Sequence, residues 1–95
     1  MFGVSWEFEI IFSPRAKRHL KALDKSVQTR IKEAVSNNLI CFPPKGDVIK
    51  LEGGAGTELR LRVGDWRVVF EYNFKERQVH ILSIKHRREA YRKRR

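Results

Sequence analysis

Arginine alternates with apolar residues between Leu59 and Phe70, and this alternation is the feature that most constrains the fold. Because successive side chains of a β-strand point to opposite faces, the pattern predicts two strands, each with one apolar and one charged face. Gly64 and Asp65 interrupt the alternation and predict a tight turn between the strands. The apolar residues predict a core on one side of a sheet. The other side would gather the guanidinium groups of Arg60, Arg62 and Arg67.

Other segments predict the elements that surround this hairpin. Residues 4–12 alternate apolar and polar side chains and predict a first strand. Ser13 and Pro14 favour the start of a short helix, since serine caps helices and proline suits their first turn. Asp24 can cap a second, longer helix, which the Phe-Pro-Pro segment at residues 42–44 ends. Further along, residues 48–51 and 78–85 predict two more strands, and residues 88–95 predict a helical or frayed tail.

These elements predict one α+β domain that covers residues 1–95, a length with room for a single small core. Two N-terminal helices would pack on one face of a small, mostly antiparallel, twisted sheet. The opposite face of the sheet would stay open and basic.

The charge of the chain points to an anionic partner. The formal net charge is +10, which favours nucleic acid, a ribosome or an acidic protein. No segment is apolar for long enough to span a membrane, and residues 1–12 lack the positive start of a signal peptide. The chain has one cysteine, Cys41, so an internal disulfide is excluded, which fits the cytosol. We therefore expect a cytoplasmic protein without a membrane partner.

Metal and cofactor motifs are not found in the sequence. It has no carboxylate pair and no His/Cys cluster with the spacing of metal ligands. The glycines of residues 53–56 precede a strand rather than open a helix, so they predict a turn and not a phosphate-binding loop. We expect neither a metal nor a cofactor.

The order of motifs along the chain is specific. It comprises Phe-x-Ile at residues 8–10, Ala-x-x-x-Leu-x-x-Leu-Asp at 16–24, Ile-Lys-Leu-Glu-Gly at 49–53, the hairpin at 59–70 and His-Arg-Arg-Glu-Ala-Tyr at 86–91. Together these motifs resemble the RelE toxins of the RelE/ParE superfamily over nearly the whole chain. The resemblance implies the toxin of a type II toxin–antitoxin pair, held in a hetero-oligomer by a RelB-like antitoxin. It further implies a metal-independent endoribonuclease that cleaves mRNA in the ribosomal A site.

The resemblance also implies roles for individual residues. Arg67 and Arg87 would bind the scissile phosphate, and Tyr91 would stack on a base or move a proton. Arg60 and Arg62 lie where RelE toxins carry basic residues, often lysines.

The replacement of lysine by arginine leaves the general base open. Such a nuclease uses the neighbouring 2′-hydroxyl as nucleophile, and a group with a tunable pKa must take its proton. Arginine stays protonated, so this role falls to Tyr91 or His86, between which the sequence does not decide. The remaining predicted RNA or ribosome contacts are Lys50, Lys85, Arg88, Arg92 and Lys93.

Two other functions fit parts of the sequence. A ParE-like toxin would have the same fold and would inhibit DNA gyrase without cutting RNA. A non-catalytic module that binds RNA or the ribosome would keep the basic face but lack the chemistry.

Overall fold

Residues 7–51 and 57–90 are the parts of the chain that the computed structural model describes. They form, in chain order, β1 (Glu9–Phe12), α1 (Pro14–Lys21), α2 (Lys25–Leu39), β2 (Val48–Lys50), β3 (Leu59–Val63), β4 (Trp66–Asn73), β5 (Gln78–His86) and α3 (Arg87–Ala90). None of the helices in these residues is long and apolar enough to cross a membrane.

The strands form one mixed sheet in the order β1-β5-β4-β3-β2. β1 runs parallel to β5, whereas all other neighbouring strands are antiparallel. The chain thus crosses from one sheet edge to the other through α1 and α2, and it returns strand by strand to pair with β1. This topology confirms the predicted α+β fold and its mostly antiparallel sheet, and it places the first strand at an edge.

One apolar cluster joins α1 and α2 to a single face of the sheet, as the two-layer prediction required. Its fully buried side chains are mainly aliphatic, with Phe70 as the largest. The buried members are Phe8, Ala16, Leu20, Ile31, Val35, Leu39, Leu61, Val63, Val68, Phe70, Val79, Ile81 and Ile84.

The predicted cap of α1 forms, whereas Asp24 takes the predicted position before α2 without a side-chain capping hydrogen bond. The hydroxyl of Ser13 accepts a hydrogen bond from the Ala16 amide at 3.0 Å and donates one to the carbonyl of Leu82, so it caps α1 and ties it to β5. Asp24 occupies the N-cap of α2, but its side chain makes no capping hydrogen bond there. α2 ends at Leu39, before the Phe-Pro-Pro segment.

The first strand is shorter than the predicted 4–12. Residues 4–6 lie outside the described residues, and the β1 strand proper begins at Glu9. Before it, the Phe8 amide donates to the carbonyl of Ile40 at 2.7 Å, and Glu7 pairs with Cys41 in an isolated bridge. Residues 7 and 8 therefore pair with the chain that leaves α2, whereas residues 9–12 pair with β5.

A β-bulge changes the alternation within β5. Val69 pairs with Ser83, but the next residue, Phe70, pairs with Ile81, so Leu82 is an extra residue in the ladder. Without the bulge, Ile81 and Ile84 would point to opposite faces of the sheet; with it, both lie in the core.

Candidate functional site

The register of three strands places a row of cations on the open face of the sheet. Arg62 of β3 pairs with Arg67 of β4, and Arg67 pairs in turn with Lys85 of β5. Directly opposed residues of an antiparallel ladder project from the same face, so these three side chains are neighbours. Arg60 lies two pairs further along β3, opposite Val69 and on the same face.

The three predicted arginines of the hairpin lie together. Arg60, Arg62 and Arg67 line a small depression of about 70 Å³ with Asp47 and Ile49. The strand alternation predicted this convergence, whereas Asp47 and Ile49 enter from the segment around β2, which pairs along β3. The depression combines positive charge, one carboxylate and an exposed apolar side chain.

Arg67 is held more tightly than a surface arginine. Its residue surface is only 4% exposed. The Nη1 atom donates to the carbonyls of Gly64 and Trp66, both at 2.9 Å. Because a fixed guanidinium loses little freedom when it meets an anion, Arg67 is preorganised for an anionic ligand that reaches the depression.

Arg87 follows β5, which neighbours β4 on the side away from β3, and it lies at the turn end of the hairpin. Its backbone amide donates to the carbonyl of Asp65 at 2.7 Å, and its Nε lies 3.8 Å from Asp65 Oδ1. Both side chains are well exposed, so the ion pair contributes little to stability. The backbone hydrogen bond nevertheless keeps Arg87 beside the turn.

Asp47 is the site residue that sequence reasoning missed. Its Oδ2 lies 3.4 Å from Arg62 Nε, and its carbonyl accepts a hydrogen bond from the Arg62 amide at 2.9 Å. Asp47 precedes β2 in a loop, where no side-chain periodicity predicts a direction. The signal that could have found it is the β2–β3 pairing, which was not predicted.

His86 lies on the opposite face from the arginines. It pairs with Trp66, and the two rings meet edge to face with centroids 5.2 Å apart. Both residues line a wider groove of about 580 Å³ between the end of α1 and the ends of β4 and β5, which His19 and Glu89 also line. The structure therefore does not bring His86 into the arginine depression.

His19 is fixed in the same groove. Its Nδ1 accepts a hydrogen bond from the amide of Ile84 at 3.1 Å, which requires an unprotonated Nδ1. Burial lowers the pKa of His19, and the charges of Arg15, Lys85 and Arg18 lower it further, while Glu89 opposes them. His19 is thus a neutral structural acceptor rather than one of the cations of α1.

The other predicted contact residues are dispersed. Lys50 pairs with Leu59, whose side chain packs against the core, so the register turns Lys50 away from the arginine face. Arg88 is exposed in α3. Tyr91, Arg92 and Lys93 lie outside the described residues.

Metal-binding side chains do not cluster in the described residues. Within 7–51 and 57–90, no group of three or more His, Cys, Asp or Glu side chains could hold a metal ion.

Comparison with known proteins adds independent information. Residues 10–91 match the family model described as the ParE toxin of type II toxin–antitoxin systems, parDE. No curated protein sequence matches the chain.

Solved structures of similar chains cover most of the molecule. The RelE–RelB complex from Pyrococcus horikoshii OT3 contains a chain with 32% identity and a TM-score of 0.69, over 85% of this chain and 96% of that one. The RelB–RelE complex from Methanococcus jannaschii contains one with 26% identity and a TM-score of 0.65, over 85% and 94%. The RelBE2 complex from Mycobacterium tuberculosis gives 21% identity and a TM-score of 0.75, over 85% and 92%.

Proposed function

This chain belongs to the RelE/ParE superfamily and is a RelE-like toxin of a type II toxin–antitoxin system, and we propose that it is a ribosome-dependent endoribonuclease. Its substrate would be mRNA in the ribosomal A site, and the reaction would take place in the cytoplasm. The observation that carries the proposal is the register-set group of Arg60, Arg62 and Arg67 on the open face of the sheet.

The arrangement suits cleavage by the RNA's own 2′-hydroxyl. In this reaction the 2′-oxygen forms a bond to phosphorus and its proton passes to a base. The bond from phosphorus to the 5′-oxygen breaks, and the departing 5′-oxygen takes a proton from an acid or from water. Negative charge builds on the phosphoryl oxygens in the transition state. Fixed guanidinium groups stabilise such charge, and the Arg67 guanidinium is held by hydrogen bonds to the carbonyls of Gly64 and Trp66. Arg87, tied to the turn beside Arg67, would bind the same phosphate.

We propose a third candidate for the proton acceptor, beside Tyr91 and His86, which the resemblance suggested. His86 lies on the helix-covered face, and Tyr91 lies outside the described residues. Asp47 is the carboxylate that lines the arginine depression. We therefore assign the first proton transfer to Asp47, with Tyr91 as the competing candidate.

Primer extension on a translated message tests the proposal. Wild-type protein should produce cuts on programmed ribosomes but not on the free message, and the upstream fragment should end in a 2′,3′-cyclic phosphate. Asp47→Asn should abolish the cuts while ribosome binding remains, whereas retained cleavage would transfer the base role to Tyr91.

A gyrase assay covers the second candidate function. The matching family model is named for ParE, so inhibition of DNA supercoiling is the relevant alternative. Supercoiling inhibition without RNA cuts would replace the nuclease proposal. Ribosome binding without either activity would identify a non-catalytic module.

We also propose a RelB-like antitoxin as the partner, because several similar solved structures are RelE–RelB complexes. The basic α1 surface, with Arg15, Lys17, Arg18 and Lys21, would attract an acidic chain that folds into a hetero-oligomer. Expression of the toxin alone should stop growth, and co-expression of an acidic antitoxin should restore it. Harmless expression of correctly folded toxin would oppose the proposal.

A further inference from the structure

The turn between β3 and β4 receives hydrogen bonds from both proposed phosphate-binding arginines. The carbonyls of Gly64 and Trp66 accept from the Arg67 side chain, and the Asp65 carbonyl between them accepts from the Arg87 amide. Three successive carbonyls of one turn thus hold two arginines that are 20 residues apart in the sequence. Their relative position is set by the geometry of this turn.

The turn itself is conformationally restricted. Gly64 has a φ of 59°, whereas Asp65 has a negative φ, the combination that a type II′ hairpin turn requires. Because this φ is positive, any residue other than glycine would be strained at position 64, whatever the space around it. The last strand pair, Val63 with Trp66, closes the hairpin directly below the turn. A restricted turn is a suitable template for catalytic groups, because its carbonyls keep fixed directions.

From this geometry we propose that Asp65 is a positioning residue that orients the Arg87 guanidinium for the phosphate. Its carbonyl anchors the Arg87 backbone, and its carboxylate lies 3.8 Å from Arg87 Nε. A carboxylate that attracts the Nε edge of a guanidinium leaves the paired Nη groups directed outward, and this fork binds two phosphate oxygens at once. Asp65 does not touch the RNA in this arrangement; it acts through Arg87.

The chemistry favours positioning over stabilisation as the role of Asp65. An exposed ion pair of this length contributes little to folding. Catalysis is more sensitive, since a displacement of about 1 Å in a positioned group costs up to ~10²-fold in rate. Replacement of Asp65 should therefore lower the cleavage rate and leave the free energy of unfolding nearly unchanged.

The inference rests on the proposed nuclease function, and a double-mutant cycle tests it. Single-turnover cleavage of programmed ribosomes by a saturating excess of toxin is compared among wild type, Asp65→Ala, Arg87→Ala and the double variant. We expect Asp65→Ala to lower the rate about tenfold with unchanged ribosome affinity, and to cause no further loss when Arg87 is already alanine. Asp65→Glu keeps a carboxylate at this position and should retain most of the rate. Asp24→Ala removes an exposed aspartate that makes no side-chain cap to α2, and it serves as the matched control.

A structural readout keeps this inference separate from the nuclease proposal. The Nε–Hε signal of Arg87 in NMR spectra should be distinct in wild type and should average towards that of a solvent-exposed arginine in Asp65→Ala. An unchanged signal, a wild-type cleavage rate in Asp65→Ala, or equal losses with and without Arg87 would each overturn the positioning role. If wild-type protein cuts no RNA, the nuclease proposal fails, and the NMR comparison still decides whether Asp65 orders Arg87.

Discussion

The start of β4 pairs with the end of β5, and the two faces of this pair have opposite environments. On the open face, Arg67 stands beside Lys85 and near the other arginines of the depression. On the covered face, one residue away along each strand, Trp66 stands against His86 at the edge of the core. Neighbouring residues in the sequence therefore contribute to different parts of the molecule.

The contrast between the open and covered faces shows how a small domain can carry many cations on one surface. The covered face supplies the buried apolar area, so the open face does not need to contribute to the core. Backbone carbonyls hold the Arg67 guanidinium there, and the strand register sets the positions of Arg60 and Arg62. We expect substitutions on the two faces to have separable effects, on stability and on chemistry.

The largest expected effect is on the covered face. Phe70→Ala removes the largest fully buried side chain and should lower the free energy of unfolding by about 3–5 kcal/mol. Its neighbour Val69, on the open face, is the matched control, and Val69→Ala should cost clearly less. Urea denaturation followed by circular dichroism measures both. Equal losses would show that the open face is part of the core after all.

Substitution of an arginine on the open face should separate the effect on RNA cleavage from the effect on folding. Arg67→Ala should lower single-turnover cleavage by about 10²–10³-fold, because it removes a preorganised donor to the transition-state charge. Ribosome affinity should fall only modestly, since many cations share the contact. Circular dichroism must first show that the variant folds, because Arg67 is buried.

His86→Gln is the covered-face counterpart of that experiment. With its ring against Trp66 and away from the arginine depression, we expect cleavage to stay within about threefold of wild type. A loss as large as that of Arg67→Ala would bring His86 back as the general base, and it would mean that this end of β5 rearranges on the ribosome.

Salt dependence should distinguish cations by face. Each phosphate contact with single-stranded RNA adds about −0.7 to the slope of log affinity against log salt. Arg62→Gln should make the slope of ribosome binding shallower by roughly that amount. Lys32→Gln, which removes an exposed cation from α2 on the other layer, should leave the slope unchanged. Equal changes would mean that binding reads only net charge.

The smallest expected effect concerns pH and the covered face. The native state lowers the pKa of His19 below 6.5, chiefly by burial, so the unfolded chain binds more protons in the acidic range. The contribution of His19 to the free energy of unfolding should thus be fully present above pH 6.5. It should decrease as the pH falls below this value, because protonation removes the acceptor for the Ile84 amide. In His19→Gln, the decrease between neutral pH and about pH 5 should be smaller in urea denaturation. An identical decrease in both proteins would assign it to other groups.

The fold could be predicted largely from local patterns. Alternation in the hairpin, the Ser-Pro start of α1 and the spacing of the helices depend on chain neighbours, so the sequence alone carries that information. The convergence of Arg60, Arg62 and Arg67 followed from the same alternation. Counting from Ile84 to His86 would also have placed His86 on the apolar face, a signal that was present but not used.

Local sequence patterns therefore set the type of each element and the face on which each hairpin residue lies. The tertiary structure alone decided which distant segments meet: Asp47 with Arg62 through β2–β3 pairing, and Arg87 with Asp65 beside the turn. It also decided the bulge that returns Ile84 to the core. The physical reason is that alternation and capping act between neighbours in the chain, whereas register, bulges and loop contacts depend on packing between residues far apart in sequence.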